Sequence, residues 1–564
     1  MTSPTSAYQT SAIRSPAIFL SQIIVAALWI LLSILIHSAV GATDSLSPDD
    51  LKAASASSEA IRFYADRGFG LAWVQSGEQL PVAQSMLRTM AASSTDGLLP
   101  EVYDAAGLGQ RWQAHRSPQE LGRLDLAMTE AALRYLGDLT AGRVAPNLAD
   151  PRWRIPRTLL DPVSVLSMVL SAADPDRTLA ELTPPHGGYR ALKAALARYR
   201  AIAASGGWPQ LPQGESLRLG DRDDRVEILR QRLALEGASP LAETATGDPR
   251  LFDARLESGV RFFQERYGLK ADGMVGVHTR DTLNIPVEER VSQIARSMER
   301  WRWLPRDLGR RHILVNIPGF VLSLVDNGTV VLESRIIAGR SSRPSPRIAA
   351  KATGILVNPS WTIPSTIMRE DVLPVVRKDP SWLTRQQMRV FQGWGADSRE
   401  VDPMQVDWRA VLPTRIPYRI VQEPGPNNAL GRLKIEMPNP AGVYLHDTPA
   451  KRLFDEADRA RSSGCIRIER VKELAAALLG EGWTVDRLND LIDRGRSVAI
   501  SFREPVPVYL VYFPAWVDEA GTIHFSPDIY GLDDRSGGSR GDGVWPVPPA
   551  AGAPCDSATV PDPS

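Results

Sequence analysis

The hydrophobic period of this chain changes from helical to strand-like near residue 310, and no single layer of structure accommodates both halves. Before the change, apolar residues recur at helical spacing. The stretch Glu120–Leu139, with Leu121, Leu124, Met128, Ala132 and Leu136, is one case; Ser85–Ala92 and Ala191–Ala203 are others. A last helical stretch carries Ile294, Met298 and Trp301. Beyond it come short apolar runs: His312–Ile317, Gly319–Val325 and Thr329–Ile337. Asp326-Asn327-Gly328 joins the second run to the third, and an Asn-Gly pair between apolar runs signals a tight hairpin. Further strands are expected at Gly354–Asn358, Arg432–Met437, Val443–His446 and Ser497–Phe502. Pro364 to about Pro424 interrupts them with a helical pattern, Ile367–Val376 and Thr384–Val390, which reads as an insertion that caps a site. The fold class expected is multidomain α+β. A chain of 564 residues suits it, since domains average about 150 residues.

Charge and composition exclude several partners. Lys+Arg 65 balances Asp+Glu 65, so there is no basic excess to bind nucleic acid broadly. The 43% hydrophobic content excludes wholesale disorder. Two cysteines are too few for a thiolate zinc site, and the seven histidines are scattered with none spaced to share a metal. No metal or cofactor is expected.

Residues Ala17–Ile36 are apolar, densest over Ile23–Ile36, and lead into Ser38-Ala39-Val40-Gly41-Ala42, small residues that suit signal cleavage. The stretch is also about the 20 residues that span a bilayer. Residues 1–42 are therefore an export segment, a cleaved signal peptide or a signal anchor. The chain is expected in the periplasm, soluble or anchored to the inner membrane. Residues 537–564, rich in Gly, Pro and Asp, read as a disordered tail. Oxidising compartments favour paired cysteines, but a bridge from Cys465 to Cys555 would tie a folded segment to that tail. Cys465 is expected as a free thiol.

Two strings carry chemistry. Val443-Tyr444-Leu445-His446-Asp447-Thr448-Pro449 runs from a strand into a turn. Ser462-Ser463-Gly464-Cys465-Ile466-Arg467-Ile468-Glu469 precedes an amphipathic helix with Val471, Leu474 and Leu478 at core spacing. A thiol reacts as its thiolate. An imidazole can take its proton, while Arg467 and a helix N-terminus stabilise the anion. Gly464 admits a substrate close to the backbone, and the Gly464 and Cys465 amides are candidates for an oxyanion hole. Ser462 and Ser463 are placed for local hydrogen bonds. The residues alone leave a second reading open, in which Cys465 is a small buried hydrophobe and His446 a core histidine.

Two resemblances narrow this. In residues 206–290, helices on Val226, Leu229 and Leu233 and on Leu256, Val260 and Phe263 precede Gly268-Leu269-Lys270-Ala271-Asp272-Gly273-Met274-Val275-Gly276 and Thr279. This is similar to the three-helix peptidoglycan-binding module of wall enzymes. Asp272-Gly273 supplies a tight turn, and Gly276 is read as permitting an unusual backbone conformation. The His446 and Cys465 strings resemble the signature of the L,D-transpeptidase family (YkuD-type catalytic domain), in particular its large YcbB-like subfamily. Asn358-Pro359-Ser360-Trp361 and Pro424-Gly425-Pro426-Asn427-Asn428-Ala429-Leu430-Gly431 also look like that subfamily. Ser463 stands where the wider family has a second histidine, a form typical of the YcbB-like branch.

The resemblance implies a helical scaffold domain over 43–205, the module over 206–290, and a mostly β catalytic domain over 291–505 with a helical capping insertion at about 364–424. C-terminal strands over 506–536 would pack on the scaffold or the catalytic domain. It implies a cysteine acyl transfer from a tetrapeptide stem, with release of D-alanine, to an acceptor amine, giving 3-3 cross-links. Cys465 would be the nucleophile and His446 the base, oriented by a backbone carbonyl near Asp447. Arg467 would hold a substrate carboxylate, and Ser463, Tyr444, Asp447 and Trp361 would contact substrate. Peptidoglycan stem peptides and glycan are the implied partners, with other wall-synthesis enzymes beside them. Hydrolysis, D-amino-acid exchange, or silent wall binding are the alternatives. Carbapenems are expected to acylate an active member.

Overall fold

The computed structural model describes residues 45–75, 78–114, 117–237, 248–395 and 397–533. The expectations on residues 1–42, on Cys555 and on the tail 537–564 lie outside the described residues. No described helix is long and apolar enough to cross a membrane.

The chain forms two compact units. One takes the described residues up to Ala91, with Tyr103–Arg134 and Pro162–Asp176. It is helical, and its buried Asp125 carboxylate accepts the Tyr64 hydroxyl at 2.5 Å, the Trp73 N–H at 2.8 Å and the Ala72 N–H at 3.0 Å. A buried carboxylate with that many donors is fully partnered.

The second unit takes Ala92–Val102, Tyr135–Asp161 and the described residues from Arg177 onward. Here the helices Gly187–Ala204, Arg225–Leu235, Ala254–Arg266, Val277–Leu283 and Val287–Arg302 share one core. Tyr199, Leu229, Phe263 and Met298 meet Phe513 and Phe525 there. In the turn before Val277–Leu283, Asp272 Oδ1 accepts the Met274 N–H at 3.0 Å and Gly273 adopts φ +76°. Gly276 is ordinary extended backbone at φ −82°, ψ −171°. The unusual conformation expected of Gly276 belongs to Gly273, where the Asp272 side chain folds back on the chain.

The rest of the unit is built on strands β1 (Arg311–Asn316), β2 (Val321–Asp326), β3 (Thr329–Gly339), β4 (Arg347–Val357), β5 (Leu433–Glu436), β6 (Leu445–His446), β7 (Ile466–Ile468) and β8 (Val498–Val511). They hydrogen-bond in the order β5-β6-β7-β3-β2-β1-β8-β4, and β4 pairs back onto β5, which closes the sheet on itself. β2 and β3 meet in the expected hairpin, with Asp326 opposite Thr329 and positive φ at both Asn327 (51°) and Gly328 (79°). Closure buries Ile313, Leu322, Ile336, Ile355, Leu445 and Ile466, and the helix Val471–Leu479 adds Leu474 to that core.

The insertion between β4 and β5 is less helical than expected. Short helical turns occupy Ser365–Val376 and Ser381–Arg385, but four strands form a sheet of their own in the order Arg399–Val401, Met388–Gln392, Tyr418–Gln422, Trp361–Thr362. The helical reading of Thr384–Val390 fails after Arg385. Gln387 turns to φ +56°, and Met388–Gln392 pairs antiparallel with Tyr418–Gln422. Val390 and Phe391 prefer a pleated, half-buried surface once a partner strand is present.

Candidate active site

β6 and β7 run parallel, with Leu445 opposite Ile466 and His446 opposite Arg467. Leu445, Ile466 and Ile468 are fully buried in the core of the closed sheet. Side chains alternate along a strand, so Tyr444, His446, Cys465 and Arg467 come together on the other face. The Tyr444 and His446 rings lie 5.5 Å apart. Cys465 and His446 thereby become diagonal neighbours across a parallel pair, although 19 residues separate them in sequence.

The turn that presents Cys465 is held from both sides. The Ser462 hydroxyl donates to the Cys465 carbonyl at 2.6 Å and accepts the Gly464 N–H at 3.0 Å. The Ser345 hydroxyl donates to the Gly464 carbonyl at 2.8 Å and accepts the Gly339 N–H at 2.9 Å. Gly464 sits at φ +116°, a backbone that L-residues rarely adopt. Its amide, expected in an oxyanion hole, is instead taken by Ser462. Among the described residues the Cys465 N–H has no hydrogen-bond acceptor, so it is the amide left for such a role.

Burial dominates the electrostatics. His446 is 5% exposed, and burial, reinforced by the Arg467 guanidinium, lowers its pKa to about 3. Main-chain groups of Asp447 and Leu430 lie against the ring and favour its charged form, yet no hydrogen bond of normal geometry reaches Nδ1 among the described residues. Burial also pushes the Cys465 thiol up, opposed by the Tyr444 backbone and hydroxyl and by the Arg467 and Lys434 charges. At neutral pH the pair is thus a thiol beside a neutral imidazole. Burial raises the Tyr444 hydroxyl pKa well above its ordinary value, and the proximity of Cys465 adds to this. The hydroxyl also hydrogen-bonds Trp361, and Lys434 Nζ lies 4.5 Å above the Tyr444 ring.

The remaining candidates divide. Trp361, half-buried in the insertion's edge strand, reaches the site through Tyr444. Arg467 touches the electrostatics of both His446 and Cys465 and is half-buried with its Nε unpartnered. Asp447 does not project as a free group. It is 4% exposed, Oδ2 accepts the Arg432 N–H at 2.8 Å, and Oδ1 accepts Lys451 Nζ at 2.5 Å. That pairing ties down the turn after β6 and gives each carboxylate oxygen a protein partner. Ser463 Oγ accepts from Arg343 at 3.0 Å. The same Arg343 binds Glu370 and Asp371 of the insertion, and Arg340 lies 3.5 Å from Asp371. Arg343, Glu370, Asp371, Lys434 and Ser345 were not expected from the sequence. Their contacts at the site, Arg343 with Glu370, Asp371 and Ser463, Ser345 with Gly464, and Lys434 with Tyr444, join separate elements, and no local motif marks them.

Chemically, a partly buried thiol beside a neutral imidazole, with a cation and a free amide nearby, supports proton transfer from sulfur to nitrogen and attack on an acyl carbon.

Three stretches of the chain match known protein families. Residues 310–500 match the family described as "L,D-transpeptidase catalytic domain". Residues 222–283 match "Putative peptidoglycan binding domain", and residues 58–196 match "Scaffold domain". A Haemophilus influenzae protein named "Putative L,D-transpeptidase" is 38% identical over 222 residues, which span 39% of this chain and 44% of the relative. Solved L,D-transpeptidase structures are similar at low identity. The one from Xylanimonas cellulosilytica is 14% identical, covers 53% of this chain and 99% of its own, and has a TM-score of 0.17. The one from Stackebrandtia nassauensis is 12% identical, covers 54% and 96%, and has a TM-score of 0.21. The chain carries a catalytic domain of the L,D-transpeptidase type, joined to a peptidoglycan-binding domain and a helical scaffold domain.

Proposed function

We propose that this protein is a peptidoglycan L,D-transpeptidase that forms 3-3 cross-links through a Cys465 thioester. The observation that carries the reading is the common face of β6 and β7, which sets Cys465, His446, Tyr444 and Arg467 side by side. The family match over residues 310–500 supports it. Cys465 Sγ attacks the carbonyl carbon of the third residue of a tetrapeptide stem as His446 takes the thiol proton. The Cys465 N–H faces the oxyanion. The amide C–N bond then breaks, and His446 returns the proton to the departing D-alanine amine. An acceptor amine attacks the thioester, a new C–N bond forms, and the C–S bond breaks. His446 passes the amine's proton back to sulfur. Arg467 pairs with a substrate carboxylate, and Trp361 and Tyr444 line the acyl site.

A wall substrate places this work outside the cytoplasmic membrane, as the export segment expected over residues 1–42 requires. Incubation with tetrapeptide muropeptides tests the reading. The wild-type chain should release D-alanine and yield a cross-linked dimer, while hydrolysed tripeptide without dimer would instead indicate a carboxypeptidase.

A further inference from the structure

Tyr530 lies beyond the family match over residues 310–500, yet it is two hydrogen-bonded steps from the turn that presents Cys465. β3 ends at Gly339 and β4 begins at Arg347. The loop 340–346 between them folds back so tightly that a Cβ on Gly339 would collide with the Arg343 carbonyl and the Ser345 nitrogen. One hydroxyl closes the neck of this loop: Tyr530 Oη donates to the Gly339 carbonyl at 2.6 Å and accepts the Ser345 N–H at 3.1 Å. The fully buried Ser345 carries the contact onward, since its own hydroxyl bridges the Gly339 N–H and the Gly464 carbonyl. Tyr530 is itself held. Its ring stacks at 5.5 Å on that of Tyr512, the residue after β8, and its N–H donates to Tyr512 Oη at 3.1 Å. Tyr512 Oη donates in turn to Asp528 at 2.5 Å, and the Asp528 carboxylate also accepts the Leu532 N–H at 2.9 Å and the Asp533 N–H at 2.7 Å.

We propose that Tyr530 is a positioning residue for Cys465, a clasp on the loop 340–346 that acts through Ser345 to hold Gly464 in place. Its part in a reaction rests on the thioester reading above; its hold on the turn does not. Phenylalanine would stack on Tyr512 equally well, so packing does not require the hydroxyl. What the hydroxyl adds is a partner for one donor and one acceptor of the loop backbone. Gly464 needs such support, because its φ of +116° belongs to a region that persists only where the surroundings over-determine it. Ser462 restrains the turn from within, and the relay from Tyr530 restrains it from outside. Together they fix the direction of the thiol and of the Cys465 N–H.

Tyr530→Phe keeps the ring and opens the clasp. Hydrogen–deuterium exchange of the full chain, followed by mass spectrometry, reads the turn through the hydrogen-bonded Gly464 and Ile466 N–H groups. Peptides covering residues 462–468 should exchange about three- to tenfold faster, the scale of one net hydrogen bond, while peptides of β1 and β2 exchange as in wild type. With a tetrapeptide donor, kcat for D-alanine release should fall by a similar factor at unchanged KM. The nucleophile and its amide act in the transition state, whereas Arg467 and Trp361 are untouched. Ser345→Ala breaks the same relay one step nearer the thiol, so adding Tyr530→Phe to it should cost nothing further. Wild-type exchange at 462–468 overturns the proposal, and so do faster exchange throughout the chain, an unchanged kcat, or fully additive losses in the double variant. If the unmodified chain releases no D-alanine, the transpeptidase reading fails by itself. The rate of Cys465 alkylation by iodoacetamide then takes the place of kcat, and an alkylation rate unchanged by Tyr530→Phe overturns the clasp.

Discussion

Arg467 is the parallel-strand partner of His446, and its charge moves both members of the candidate pair in the same direction, down. A cation beside a base and a nucleophile discourages imidazolium and encourages thiolate. Burial overrides the second effect, so the resting pair is a neutral thiol and a neutral imidazole.

The first prediction concerns that cation. With His446 held near a pKa of about 3, the acid limb of D-alanine release should be missing around the ordinary histidine value of 6.5. Arg467→Gln removes a lowering charge, so the limb should move up toward 6.5. The KM for tetrapeptide should rise by roughly tenfold as a charge-assisted contact is lost. A pH–rate profile reads both.

Tyr444 stands across from Cys465, and its hydroxyl favours the thiolate. Tyr444→Phe keeps the ring and removes the donor. The thiol pKa should rise further, and the rate of iodoacetamide alkylation at pH 8 should fall by about three- to tenfold, since one pKa unit is tenfold in thiolate. An unchanged alkylation rate would show that the hydroxyl does not act on sulfur.

Stability should depend on pH through the same histidine. A neutral imidazole whose folded pKa lies near 3, against 6.5 for the free side chain, binds fewer protons folded than unfolded between those values. Stability is then fully present above pH 6.5 and is lost as pH falls toward 3. The slope from His446 is at most about 1.4 kcal/mol per pH unit. Urea unfolding at pH 7 and pH 5 measures it, and His446→Gln should flatten the difference.

Gly464 separates conformational strain from clash. A Cβ there would meet nothing closer than the Arg343 and Pro344 carbonyls at 3.9 Å, but φ is +116°. Gly464→Ala should therefore cost about 1–3 kcal/mol from backbone strain alone. It should also slow alkylation of Cys465, because the turn held by Ser462 and Ser345 must shift. Thermal melting and alkylation kinetics together check this.

Much of the site was legible in sequence because its ingredients are local. The period shift near residue 310, the Asn327-Gly328 turn and the alternation around Leu445–His446 and Ile466–Ile468 are all short-range signals. What stayed hidden depends on partners far along the chain. Thr384–Val390 looked helical until Tyr418–Gln422 supplied a strand beside it. The partners of Asp447, expected beside substrate, are the Arg432 N–H and Lys451, and the Gly464 amide, expected in an oxyanion hole, is taken by Ser462. The tie from Arg343 to Glu370, Asp371 and Ser463 joins the insertion to the turn before Cys465, and no local motif encodes it.

The central claim is that Cys465 carries the acyl group. Intact mass of the protein after incubation with a tetrapeptide donor and no acceptor tests it most directly. The wild-type chain should gain the mass of the acyl donor less D-alanine, and Cys465→Ala should gain nothing while keeping its unfolding transition. An adduct on Cys465→Ala, or D-alanine release by that variant, would contradict the account.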